Sequence, residues 1–141
     1  MLNVVLDTNV LVAALQSKNG ASNTIVSLIE KQIFTIHLSV PLVMEYEDVL
    51  KRPKHRGTFT EEEIESIIDE LCFWGQKHNV WYLWRPMLTD ANDEFVAELA
   101  VAASAEYIVT FNIKDFKGME AFGVKVVQPS TFLHLLRKES Q

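Results

Sequence analysis

Val4, Val5 and Leu6 form an unbroken apolar run that Asp7 ends. A continuous run, rather than an alternating one, suits a strand of a parallel sheet covered by helices on both faces. Thr8 and Asn9 follow, residue types that cap helices or hold neighbours by hydrogen bonds, and Val10, Leu11 and Leu15 then mark a short helix fading near Lys18-Asn19-Gly20. Ser22 is positioned to cap a second helix with Ile25, Leu28 and Ile29 on its apolar face. Phe34 to Leu38 reads as the next strand, and Pro41 fits the first turn of a helix carrying Leu42, Val43, Tyr46, Val49 and Leu50 as far as Pro53.

Thr60-Glu61-Glu62-Glu63 is a capping box, and Ile64, Ile67, Ile68, Leu71 and Cys72 recur behind it at helical spacing. That helix is expected to end near His78-Asn79. Val80 to Trp84 reads as extended, Arg85-Pro86 breaks it, and the acids of Asp90-Ala-Asn-Asp93 open a helix with Phe95, Val96, Leu99, Ala100 and Ala103 inward. Tyr107 to Phe111 is a further strand, followed by a polar loop at Asn112 to Phe116. Val124 to Val127 is a last short strand, and Ser130 is expected to cap a closing helix with Phe132, Leu133, Leu135 and Leu136. Strands alternating with helices predict one α/β domain over residues 1–141 with a mainly parallel sheet.

Composition adds bounds. With 141 residues, 48% of them hydrophobic, the chain can bury a full core without disulfides, and its single cysteine, Cys72, allows none within the chain. This fits a soluble protein of the reducing cytoplasm, with no signal peptide or membrane span at its N-terminus. A net charge of −6 argues against coating nucleic acid through a general positive field, yet not against a nuclease whose acids bind metal. Lys51, Arg52, Lys54, His55 and Arg56 are the one basic cluster, either a solvated loop or a phosphate contact.

The candidate chemistry is acidic. Asp7 would stand at the carboxyl end of the first strand, where ligands bind in open α/β sheets. Glu45 lies early in the helix after the second strand, Asp93 opens another helix, and Asn112 and Asp115 follow the Tyr107 strand. Carboxylates gathered at one edge repel unless a cation neutralises them or some keep a proton. Oxygen ligands without thiolate or clustered imidazole select Mg²⁺ or Mn²⁺ over zinc. Glu45 and Asp93 each have a plainer reading, as a surface helical glutamate and a helix-starting acid. His37, His55, His78 and His134 are far apart in sequence without paired ligand spacing, and Trp74, Trp81, Tyr82 and Trp84 are either core, a subunit contact or a base-stacking platform.

Leu6-Asp7-Thr8-Asn9-Val10-Leu11, the Ser39 to Glu45 spacing, Asp93 followed by Phe95 and Leu99-Ala100, and the run from Tyr107 to Phe116 together resemble the PIN domain. The resemblance is strongest to PIN-family toxin components of bacterial toxin–antitoxin systems, the VapC-like group, and it covers essentially the whole chain. It implies a three-layer fold with a mainly parallel central sheet flanked by helices. It also implies Mg²⁺- or Mn²⁺-dependent hydrolysis of RNA phosphodiester bonds, with Asp7, Glu45 and Asp93 as the metal-binding acids. Thr8, Asn9, Ser39 and Thr110 match the polar residues that orient those acids. Many PIN domains have Thr-x-Asp at the fourth position; here Thr110-Phe111-Asn112 stands there, with Asp115 three residues on, so Asn112 or Asp115 would complete the site. Lys51, Arg52, Lys54 and Arg56 are candidates for RNA phosphate contacts. An antitoxin partner and a homodimer or higher homo-oligomer are expected, and the apolar excess of the last helix could serve either. Two rival folds fit less well: a haloacid dehalogenase phosphatase wants a second Asp where Asn9 stands, and a receiver domain wants an acid pair on its first strand. The alternative within the family is a non-catalytic scaffold that binds RNA or protein through a decayed metal site.

Overall fold

Adjacent residues of a strand point to opposite faces of its sheet, so the burial of both Val4 and Val5 requires cover on each side. A computed structural model describes residues 1–79 and 91–139, with residues 91 and 92 as backbone only. Its strands are β1 (Leu2–Leu6), β2 (Phe34–Ser39), β3 (Gln76–His78), β4 (Tyr107–Val109) and β5 (Lys125–Val127). All pair in parallel, in the order β3-β2-β1-β4-β5. β1 is central: Val4 pairs with Ile36 of β2 on one side and with Tyr107 of β4 on the other. The helices among the described residues are α1 (Thr8–Gln16), α2 (Ala21–Leu28), α3 (Val40–Lys51), α4 (Pro53–Arg56), α5 (Glu61–Trp74), α6 (Ala91–Ala102) and α7 (Pro129–Glu139). They cover the sheet on both faces, giving the three-layer α/β arrangement. Leu42, Leu50, Ile64, Leu99 and Phe132 from these helices are almost fully buried, each contributing about 1.5–3 kcal/mol by leaving water.

Helix starts follow local chemistry, in places differently from expectation. Ser39 caps α3, its hydroxyl accepting from Leu42 N–H at 3.4 Å, and Thr60 with Glu63 makes the expected capping box of α5. Ser22 is not a cap: α2 starts one residue earlier, after Gly20, and Ser22 is buried in its first turn. Ser130 is likewise inside α7, because Pro129 takes the first helical position, where its missing N–H is not needed. The basic segment after α3 is not a plain loop, since Pro53 starts the single turn of α4. Asn112 to Phe116 also winds up, as a 3₁₀ turn from Ile113 to Phe116, and a second such turn spans Met119 to Phe122.

α5 stops at Trp74, short of the expected 78–79, and Gly75 shows why. A Cβ there would lie 2.6 Å from Leu38 Cδ1 and 2.9 Å from the Leu71 carbonyl, so only glycine lets the chain pass this close to β2. The next three residues become the edge strand β3, pairing Gln76 with His37 and His78 with Ser39. The expected Val80 to Trp84 strand, its Arg85-Pro86 break and Asp90 lie outside the described residues. Among the described residues no helix is long and apolar enough to cross a membrane.

Candidate active site

From β1 the sheet grows one way through β2 to β3 and the other way through β4 to β5. The crevice beyond the carboxyl ends of β1 and β4 is therefore the switch point at which α/β sheets take ligands. Asp7 is the first residue after β1 and Thr110 the first after β4. Both continue the ladder: Asp7 N–H donates to the Val109 carbonyl at 2.9 Å, and Thr110 N–H to that of Val127 at 2.9 Å. Both are buried.

A buried carboxylate is costly unless hydrogen-bonded, and Asp7 has donors on each oxygen. Oδ1 accepts the Thr8 N–H at 2.8 Å, so Asp7 also caps α1, and Oδ2 accepts the Thr110 hydroxyl at 2.7 Å. The Thr110 oxygen accepts in turn from Asn9 Nδ2 at 3.3 Å and from Asn112 N–H at 3.0 Å. Asn9 Oδ1 accepts the Phe111 N–H at 3.3 Å. The start of α1 and the turn at 110–112 are thus laced together around one carboxylate. A second carboxylate is joined through Thr8, whose hydroxyl donates to Glu45 Oε2 at 2.6 Å.

Tyr46, next to Glu45, anchors α3 against β1. It is buried, and its hydroxyl donates to the carbonyl of Leu6, the residue before Asp7. Burial first, then the negative charges of Asp7 and Glu45, push its phenol well above the usual tyrosine range. The hydroxyl accordingly stays a donor, and both carboxylates bear on the same point. The sequence reading placed Tyr46 only on an apolar face; its adjacency to Glu45 was the available signal.

The donors at this edge are all oxygens: two carboxylates and the hydroxyls of Thr8 and Thr110. Among the described residues no three carboxylate, imidazole or thiolate groups stand together as a ligand set. Two carboxylates suffice for a hard cation that keeps several waters, as Mg²⁺ does, so the residues present fit such an ion and not a structural zinc. Asp93 lies half-buried in the first turn of α6, which packs on β1 and α3. Asn112 and Asp115 are exposed; Asn112 joins the cluster through its backbone, and Asp115 N–H donates to the Asn112 carbonyl at 3.0 Å. Ser39 directs its hydroxyl to the cap of α3.

The basic cluster is largely engaged with acids. Lys51 bridges Glu65 at 2.8 Å and Glu47 at 3.1 Å, and these hydrogen bonds, Glu65's first, raise its ammonium to about 12. Arg52 pairs with Asp48 at 2.8 Å and Arg56 with Glu61 at 3.2 Å. Lys54 is exposed and has no ion pair among the described residues.

The histidines are not all apart. His37 Nδ1 lies 2.7 Å from His78 Nε2, and His37 Nε2 lies 2.9 Å from Asn3 Oδ1. An amide oxygen only accepts, so Nε2 carries the hydrogen and, in neutral His37, Nδ1 accepts from His78. Separation along the chain hid this, because β2 and β3 are neighbours in the sheet. Burial, and secondarily the charge of His78, lowers the pKa of His37.

The family model described as PIN domain matches residues 3–114. Among solved structures, the chain is similar to the crystal structure of VapBC2 from Rickettsia felis bound to a DNA fragment from their promoter. The two superpose with a TM-score of 0.60 at 19% identity, over 90% of this chain and 98% of that one, a likeness of fold. No curated protein matches the chain.

Proposed function

The chain belongs to the PIN domain family, and from that premise we propose that it is a metal-dependent endoribonuclease, acting as the toxin of a toxin–antitoxin pair. The observation that carries the reading is the joining of Asp7 and Glu45 through one threonine at the switch point of the sheet. Mg²⁺ or Mn²⁺, held by Asp7, Glu45 and Asp93 directly or through water and completed by Asn112 or Asp115, would supply charge to a non-bridging phosphate oxygen and acidify an attacking water. Thr110 and Thr8 fix the Asp7 carboxylate, the Thr8 hydroxyl orients Glu45, and one of these carboxylates would receive the water's proton. The water oxygen bonds to phosphorus as the ribose oxygen leaves, with no covalent enzyme intermediate. Lys54 is the first choice for a backbone phosphate contact, ahead of Lys51, Arg52 and Arg56, which already pair with acids. The fold shared with VapBC2 supports an antitoxin partner. A homo-oligomer in the cytoplasm completes the proposal.

Substitution of Asp7→Asn, and separately of Asp93→Asn, should each lower Mn²⁺-dependent cleavage of a defined RNA by at least about 100-fold, with thermal melts near that of the parent. Full activity in either variant would remove that residue from the site. The second reading, a scaffold with a decayed site, is favoured by the uncharged Asn112 where many relatives carry an acid. Raising of the melting temperature by Mn²⁺ in the parent, and its loss in Asp7→Asn, decides for a working site.

A further inference from the structure

We propose that Phe111 is a platform on which a nucleobase of the RNA stacks next to the Asp7 cluster; this rests on the nuclease reading. Phe111 is 45% exposed, and Ile113, 42% exposed, lies two residues on. Single exposed hydrophobics need no cause, so exposure is not the argument. The attachment is. The Phe111 N–H is held by Asn9 Oδ1 and the following N–H by Thr110 Oγ1, and Thr110 itself donates to Asp7. The ring is therefore carried on backbone fixed to the candidate catalytic carboxylate by a short chain of hydrogen bonds.

Charge strengthens the case. The protein carries −6 overall, and most of its basic cluster is paired internally, so its general attraction for phosphates is weak. Stacking on an aromatic face is indifferent to that charge and available to every base. Bases inside a duplex are already stacked, which restricts the platform to unpaired ones. Trp74 is a poorer candidate: its Nε1–H donates to Glu70 at 3.0 Å, its ring packs edge-on with Phe73, and no hydrogen bond links it to Asp7 among the described residues.

The test uses the full chain, a 5′-labelled single-stranded oligoribonucleotide, and the same strand with an abasic ribose beside the cleavage position. Phe111→Ala and Phe111→Leu should each raise KM about tenfold with kcat within about twofold, whereas Phe111→Trp keeps the parent value. The abasic strand should raise KM for the parent by a similar factor and add nothing in Phe111→Ala. Parent-like KM in Phe111→Ala, or an equal abasic penalty in both proteins, overturns the platform. Binding of the same strand by fluorescence anisotropy without added metal separates the two proposals. About tenfold weaker binding in Phe111→Ala supports the platform even if the parent cuts no RNA, and equal binding overturns it even if the parent does.

Discussion

Tyr46 and Thr8 act on the two carboxylates from opposite sides, one through the backbone of β1 and the other through a direct hydroxyl bond. Tyr46→Phe keeps the ring but leaves the Leu6 carbonyl without that donor, and should cost about 1–3 kcal/mol in urea unfolding. Thr8→Val keeps the shape and removes the hydroxyl bond to Glu45; cleavage should fall about tenfold or more, while Thr8→Ser retains the hydroxyl and most of the rate. Asp7 was legible in the sequence because an apolar run ending in an acid has few structural explanations. Thr8, Asn9 and Thr110 were legible through the family pattern, and the structure gives each a partner in the Asp7 cluster. Ser39, expected to orient an acid, also caps α3 through its hydroxyl oxygen. The His37–His78 pair was illegible, since 41 residues separate its members and only strand order makes them neighbours.

At the scale of elements, the turn from α5 into β3 is a close passage. Gly75→Ala should destabilise by about 1–3 kcal/mol in guanidinium unfolding, because the added methyl meets Leu38 on β2 and the Leu71 carbonyl. Recovery in Gly75→Ala combined with Leu38→Ala would tie the loss to that contact. The same place shows where sequence reading ran short. β3 has three residues, with Gln76 and Lys77 exposed, so it carries no apolar alternation, and the helical period of α5 was extended over it. The buried strands β1 and β4 were visible because burial on both faces leaves a continuous apolar run, and β2 through the alternation of Phe34, Ile36 and Leu38 with polar residues. Helix starts were placed less well where a glycine cap or a proline at the first position stands in place of the expected serine cap.

For the whole molecule, the His37–His78 contact links stability to pH. Folding lowers the pKa of His37 from its ordinary 6.5, so in the window below that value the unfolded chain binds more protons than the folded one. The contribution is full above about 6.5 and is lost as pH falls from there through the lower folded value. Melts of the parent should drop more between pH 7.5 and 5 than those of His37→Gln; parallel curves would contradict this.

The bond from Thr110 to Asp7 spans 103 residues of chain, and this orders events in time. A polypeptide lengthening at about 5–20 residues per second receives Asp7 and Thr8 about 5–20 s, and Glu45 about 3–13 s, before residue 110 has been added. Until β4 docks against β1, the Val109 carbonyl and the Thr110 hydroxyl are not there to receive and orient Asp7. Long-range closure of this kind is slow to form. The topology thereby acts as a delay on the ribosome: the acids are translated early, but the geometry that would arm them arrives only with β4, the later of the two strands that meet at the crevice.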